Sequence, residues 1–232
     1  MIAKPIVSVI LTTYNRPQFL KRAVESVLNQ TFKEFELIVV DDCSDIPPNI
    51  NLPAGEDRVI PIRLPYNTGF WIRPRNVGLM VARGKYIAYL DDDNVYLPNH
   101  LQALYDAITS GDYDVVYGDR EYKSLNPNEK KFMGRMSFDF DMNKLEKGNY
   151  IDISDLMHTA EIINKVGFFD LNWNRKADWL AVHRFGKAGA KFMHVKEVLT
   201  EYWWHDDNIG QKHPLGGKMI HSAKDLESKH YD

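Results

Sequence analysis

Short apolar runs that stop abruptly at polar residues divide the first half of the chain. Ile6 to Leu11 reads as a buried strand, and Thr12-Thr13-Tyr14-Asn15-Arg16 is its polar exit. Pro17 suits the first turn of a helix, where its missing N–H is no loss. Phe19, Leu20, Ala23, Val24, Val27 and Leu28 then recur at helical spacing to about Asn29. Phe35 to Val40 is a second apolar strand, closed by Asp41-Asp42-Cys43-Ser44-Asp45. Pro47, Pro48 and Pro53 make the next stretch a loop. Val59 to Leu64 predicts a third strand. Pro74 to Ala82 predicts a helix, with Gly84 past its end as a stop signal. Tyr86 to Leu90 is the next strand. Pro98 opens a helix carrying Leu101, Leu104, Tyr105 and Ile108, and Val115-Val116-Tyr117 is a further strand.

Such alternation predicts an α/β fold: a mostly parallel central sheet with helices on both faces. In these sheets ligands bind outside the carboxyl ends of the strands. Three polar clusters fall at ends of that kind: Thr12 to Asn15, Asp41 to Asp45, and Asp91 to Asn94. The second half is less regular. Lys123 to Lys147 reads as a loop-rich insertion, Asp178 to Ala188 as a helix, and Phe192 to His194 and Val198 to Trp203 as short strands. No repeat or clear linker interrupts the chain. One domain over residues 1–208, with a regular half (1–118) and a less regular half (119–208), is expected to precede a polar tail at 209–232.

The cluster Asp91-Asp92-Asp93-Asn94 carries the most chemistry. Adjacent carboxylates repel and are costly to desolvate. A cation relieves both costs, and hard oxygen donors suit Mg²⁺ or Mn²⁺. The alternative is an acidic turn solvated by water. The tetrad is not an EF-hand loop, because its sixth position is Tyr96 and its twelfth is Gln102. No G-x-G-x-x-G follows the first strand. Gly216-Gly217-Lys218 fails as a P-loop, with Lys212 and Met219 at the wrong positions.

Composition narrows the classes further. The 232 residues are 44% apolar and 26% charged, which allows a sizeable core. A net charge of −3 argues against a nucleic-acid binder. The lone Cys43 excludes an intramolecular disulfide framework or a Cys-rich zinc site. The N-terminus shows no cleavage-site pattern, and no stretch reaches the roughly 18 apolar residues of a membrane span. A reducing, cytoplasmic setting is therefore expected. Asn29-Gln30-Thr31 matches a glycosylation acceptor and, without a secretory signal, is read as chance.

Several of these segments, in order, resemble the family 2 glycosyltransferases. They are Val7-Ser8-Val9-Ile10-Leu11-Thr12-Thr13-Tyr14-Asn15-Arg16, Ser26-Val27-Leu28-Asn29-Gln30-Thr31-Phe32 and Glu36-Leu37-Ile38-Val39-Val40-Asp41-Asp42-Cys43-Ser44. Arg75-Asn76-Val77-Gly78, Ala82-Arg83-Gly84-Lys85-Tyr86-Ile87 and Leu90-Asp91-Asp92-Asp93-Asn94 continue the match. The likeness is close over residues 5–118 and looser to 208. It implies the GT-A fold, a nucleotide-diphospho-sugar donor, Mn²⁺ or Mg²⁺, a carbohydrate or glycoconjugate acceptor, and inversion at the anomeric carbon. The first half would then be the donor side and the second the acceptor side.

The same resemblance implies roles. Thr12 and Tyr14 would flank the nucleobase, although Thr12 also suits a strand-end cap. Asp42 would accept the uracil N3–H. Arg75 and Asn76 would lie near the donor, with Arg75 on a phosphate, on an acid of the tetrad, or in a structural ion pair. The tetrad corresponds to the DXD motif, with Asp93 on the metal and Asp91 or Asp92 on the ribose or the metal's waters. Asp178 would be the general base or, alternatively, a helix-start residue; the family's usual Glu-Asp pair is incomplete, because Ala177 replaces the acid. His205 is a further metal ligand or a surface residue. His158 and Trp179 approach the acceptor or belong to the core. Trp71, Trp173, Trp203 and Trp204 stack on sugars or pack internally. A sugar nucleotidyltransferase is a competing reading that would need a Gly-rich basic loop after the first strand. A non-catalytic nucleotide-sugar-binding module is another.

Overall fold

A computed structural model describes residues 4–47, 52–53, 55–125, 132–172 and 176–205. Trp173, Pro48, the span 206–208 and the tail 209–232 lie outside the described residues, as does part of the 123–147 stretch. The first strand and helix are β1 (Val7–Thr13) and α1 (Pro17–Leu28). Next come β2 (Phe35–Asp41), β3 (Val59–Arg63), α2 (Ile72–Val81), β4 (Tyr86–Asp91), β5 (Val95–Tyr96) and α3 (His100–Thr109). The second half supplies β6 (Val115–Ser124), β7 (Phe132–Met136), α4 (Met142–Lys147), β8 (Leu156–Thr159), α5 (Ala160–Val166), α6 (Ala177–Lys187) and β9 (Phe192–Trp204).

Among the described residues, nine strands form one sheet, ordered β3-β2-β1-β4-β8-β6-β9-β5, with β7 beside the far end of β6. The strands β1, β2, β3, β4, β6 and β9 run one way, and β5, β7 and β8 oppose them. The expected mostly parallel α/β sheet is therefore present. Alternation along β1 explains the two layers. Val7, Val9 and Leu11 enter a core with α1 and α3 residues such as Leu20, Val24 and Leu104. Ile10 faces the opposite core, shared with α2, α5 and α6.

Two expectations for the second half need correction, and three elements are additional. The 123–147 stretch contains β7 and α4. The two short strands after residue 191 are one 13-residue strand whose register against β6 shifts near Gly118 and Asp119. The elements β5, β8 and α5 were not anticipated. Their apolar runs are too short for periodicity to separate strand from helix.

Gly84 also has a different purpose from the one its position suggested. The cap of α2 is Ala82 in extended conformation. A Cβ on Gly84 would lie 2.5 Å from the Ser8 backbone nitrogen and 2.8 Å from the Val7 carbonyl carbon. Its N–H donates to Ser8 Oγ at 2.8 Å, and Ser8 in turn donates to buried Glu36 at 2.6 Å. This network ties β4 to β1 and β2 at the end of the sheet opposite the acidic tetrad. Gly84→Ala must move backbone, so a loss of roughly 1–3 kcal/mol is expected in a thermal or urea melt. An unchanged midpoint would contradict this role.

Candidate active site

Strand register assembles the site before any side chain is considered. In the parallel ladders Thr12 pairs with Asp91 of β4, Thr13 pairs with Asp41 of β2, and Asp41 pairs with Arg63 of β3. The polar exits of neighbouring strands therefore sit at one level. The chain builds β2 and β3 on one side of β1 and β4 on the other, so this level is also a topological switch point, where open α/β sheets bind ligands.

The first two exits are locked together by side chains. Asn15 adopts φ +53° and Cys43 φ +67°, a left-handed region that Asn tolerates better than most residues. Asn15 donates to Asp45 at 3.1 Å and accepts from the Asp45 N–H at 2.8 Å, while its own N–H donates to Ser44 Oγ at 2.8 Å. Asp41, fully buried, accepts from the Ser44 N–H at 3.0 Å and from Arg63 at 3.1 Å. Asp42 accepts from the Thr68 N–H at 3.0 Å and Asn67 Nδ2 at 3.3 Å. Burial raises the Asp42 pKa, and the bonds from Thr68 act against that shift. Thr12 is buried beside these groups, and Tyr14 projects outward at 43% exposure.

After β4 the Asn94 N–H donates to the Asp91 carbonyl at 3.0 Å, and this turn splays the three acids. Asp91 pairs with Arg75 at 2.6 Å. Asp92 accepts from Thr13 Oγ1 at 2.8 Å and from Arg16 at 3.2 Å. Asp93 accepts from the same Arg16 nitrogen at 3.0 Å and lies 3.2 Å from His205 Nε2. Below the turn, Ser154 Oγ accepts from the Asp91 N–H at 3.3 Å and Asn94 Nδ2 at 3.1 Å. Burial raises Asp91 well above the ordinary carboxylate value, and it raises Asp92 to about 6, with repulsion from Asp93 adding to the shift.

Arg75 joins this acidic turn to the second half of the chain. Its guanidinium is 2% exposed and pairs with both Asp91 and Asp178. It lies 4.2 Å from the Trp71 ring centroid, 5.3 Å from Phe169 and 5.7 Å from Tyr89. Burial works against its charge, but the two carboxylates outweigh burial and raise its pKa. Asp178 occupies the first turn of α6, where the helix dipole favours a carboxylate. Burial nevertheless raises Asp178 to about 6, with Arg75 pulling the other way. An acid ionised at neutral pH, partly open to solvent and beside a donor-side cluster, is equipped to take a proton.

Other expected residues stand elsewhere. His158 is fully buried in β8; Tyr89 Oη lies 2.8 Å from its Nε2, and its Nδ1 faces the Thr159 carbonyl at 2.8 Å. Trp179 is a core residue whose indole N–H donates to the Leu145 carbonyl at 2.7 Å. Neither can meet an acceptor in this arrangement. Asn76 donates to the Phe169 carbonyl at 2.7 Å and accepts the Phe169 N–H at 3.0 Å, so it clips a loop rather than facing the strand ends. His205 does reach Asp93, helped by stacking on Phe19 at 4.6 Å. Sequence reasoning gave no role to Thr13, Arg16 or Ser154. The exit at Thr12 to Arg16 contained the first two, but only the three-dimensional turn shows which carboxylates they meet.

Among the described residues, no three His, Cys, Asp or Glu side chains form a ready metal cage. Asp93 and His205 stand 3.2 Å apart, which is two hard donors and not a closed shell, so a divalent cation here would need phosphate oxygens and water for its other positions.

The carboxylates and buried Arg75 thus gather at the strand ends of a mixed α/β sheet, at the switch point where such folds bind ligands. The family model for glycosyl transferase family 2 matches residues 8–173. The chain belongs to this family and is a glycosyltransferase. It is 27% identical to the uncharacterized glycosyltransferase YwdF of Bacillus subtilis, over 97% of this chain and 84% of YwdF. It is 26% identical to an Escherichia coli protein named UDP-Glc:alpha-D-GlcNAc-diphosphoundecaprenol beta-1,3-glucosyltransferase WfgD, over 76% of this chain and 69% of WfgD. S. aureus TarS 1-349 in complex with UDP superposes with a TM-score of 0.69 at 20% identity, over 86% of this chain. The chain spans 61% of that TarS fragment, and the likeness establishes the GT-A fold. Family membership sets aside the nucleotidyltransferase reading.

Arg75→Met would leave Asp91 and Asp178, which are 30% and 21% exposed, without their cation. Removing one partner of a fully buried pair costs roughly 3–5 kcal/mol, and solvent at the two acids lowers that, so a melting temperature lower by roughly 5 °C is expected. A change of under ~2 °C would show that Arg75 does not bear this load.

Proposed function

We propose that the protein transfers a sugar from a UDP-sugar to an acceptor hydroxyl with inversion, in polysaccharide or glycoconjugate synthesis, using Mn²⁺ or Mg²⁺. One observation carries the reading. Arg75 brings Asp178 of the second half within one side chain of Asp91, the first acid of the tetrad. A base beside the donor's acids is what a single displacement needs. Asp178 takes the proton of the acceptor hydroxyl as its oxygen attacks the anomeric carbon, and the bond to the diphosphate breaks on the opposite face. The relatives support the donor class, because TarS crystallises in complex with UDP and WfgD is a UDP-Glc-named glucosyltransferase.

In this reading residues 1–118 bind the donor and residues 119–208 the acceptor. Thr12, Tyr14 and Asp42 serve the base. Asp91 and Asp92 serve the ribose or the cation's waters. Asp93, with His205, would hold the cation, which when bound offsets the charge growing on the departing diphosphate. Arg75 acts through Asp91 and Asp178 rather than on a phosphate. Asn76 acts through the Phe169 loop. A cytoplasmic setting belongs to the same proposal. The lone Cys43 forms no disulfide, and none of the described helices is long and apolar enough to cross a membrane.

The test starts from nucleotide-sugars with Mn²⁺, read as released UDP and as thermal shift. Asp178→Asn should keep the UDP-induced shift and lose transfer by about 10²–10⁴-fold. Asp93→Ala should lose the Mn²⁺-dependent part of UDP binding. Full transfer by the first variant would remove Asp178 from the base role, and unchanged binding by the second would remove Asp93 from the cation.

A further inference from the structure

Arg16 neutralises the candidate cation site with a group the chain supplies itself. One guanidinium nitrogen lies 3.2 Å from Asp92 Oδ1 and 3.0 Å from Asp93 Oδ2, so a single donor is shared by two carboxylates. The backbone at this point is fixed. Arg16 is the residue before α1, Pro17 follows it, and Asn15 precedes it in a left-handed conformation clipped to Asp45. Its side chain is 23% exposed and borders a cavity of about 410 Å³ whose lining includes Thr13, Asn15, Ser44, Asp45 and Ile46, so open space lies beside the guanidinium.

Resting on the donor and cation assignments above, we propose that Arg16 is the resident counter-ion of Asp92 and Asp93, exchanged for a divalent cation when a nucleotide diphosphate arrives. A cation binding alone must evict a guanidinium held by two carboxylates and leave it without those partners. A diphosphate offers the displaced guanidinium a new, planar-fork partner and offers the cation further oxygens. Cation and nucleotide binding are then coupled through one side chain, and the coupling is reciprocal. Arg16 is a positioning residue in this scheme. It orders the arrival of ligands and has no part in bond breaking.

The experiment is a Mn²⁺ titration of the full chain, read by the loss of the free-ion EPR signal, with and without UDP. In the absence of UDP, Arg16→Gln should bind Mn²⁺ at least ~10-fold tighter than the natural protein, because the competing charge is gone. Arg16→Lys, which keeps a cation in reach, should bind less tightly than Arg16→Gln. Arg16→Ala serves in place of Arg16→Gln if that variant does not fold. UDP should then tighten Mn²⁺ binding less in the variant than in the natural protein. Mn²⁺ affinity in Arg16→Gln equal to or weaker than in the natural protein, with UDP still promoting binding, would overturn this role and leave the donor reading intact. No Mn²⁺ binding in any form, even with UDP, would overturn both.

Discussion

The buried guanidinium of Arg75 is the interaction on which the site depends. Two unit charges ~4 Å apart interact by about 4 kcal/mol at an effective dielectric constant near 20. Asp93 repels Asp92, and Asp178 repels Asp91, so each pair needs a compensating cation. Arg75 serves Asp91 and Asp178, and Arg16 serves Asp92 and Asp93. Three aromatic rings surround Arg75, from Trp71 at the start of α2, Tyr89 on β4 and Phe169 after α5. The rings stabilise the cation where water cannot reach it. Through Arg75 they tie α2, β4 and the loop after α5 together, and the Arg75–Asp178 pair adds the start of α6.

This arrangement explains how a regular half and an irregular half share one chemistry. The parallel strands place Thr12, Thr13, Asp41 and Asp91 at a common level through register alone. The second half contributes at three points. Ser154 supports the turn from below, β9 carries the chain to His205, and α6 presents Asp178. Each contact crosses more than 60 residues of sequence, so the site exists only once both halves have folded onto the same sheet.

The sequence was legible where its signals were local. Apolar runs of five or six residues, each followed by Asp or Thr, marked β1, β2 and β4 to within two residues. Pro17 and the spacing of Leu20, Val24 and Val27 marked α1. The short runs at Val95–Tyr96 and Leu156–Thr159 carried no such signal, because strands of two and four residues have no readable period. Gly84 was recognised as a boundary, yet its reason is contact with a strand 76 positions earlier in the chain. His158 and Trp179 show the same limit. The family resemblance implied an acceptor role or a core one, and only the packing of β8 and α6 assigned both to the core. Arg75 was identified from its motif, but its two partners lie 16 and 103 residues away, a relation that one sequence does not contain.

The central claim is that Asp178 is a base whose proton affinity is set by burial against the pull of Arg75. Its carboxyl must be ionised to act, and its pKa is raised to about 6, so activity is lost as pH falls through that value. The most direct measurement is kcat/KM for UDP-sugar turnover between pH 4.5 and 8, read as released UDP at fixed Mn²⁺. The account predicts a plateau at neutral pH and an acid limb inflecting near 6, falling about tenfold per pH unit below it. A profile that stays flat until pH approaches about 4, where an ordinary carboxylate titrates, would contradict it.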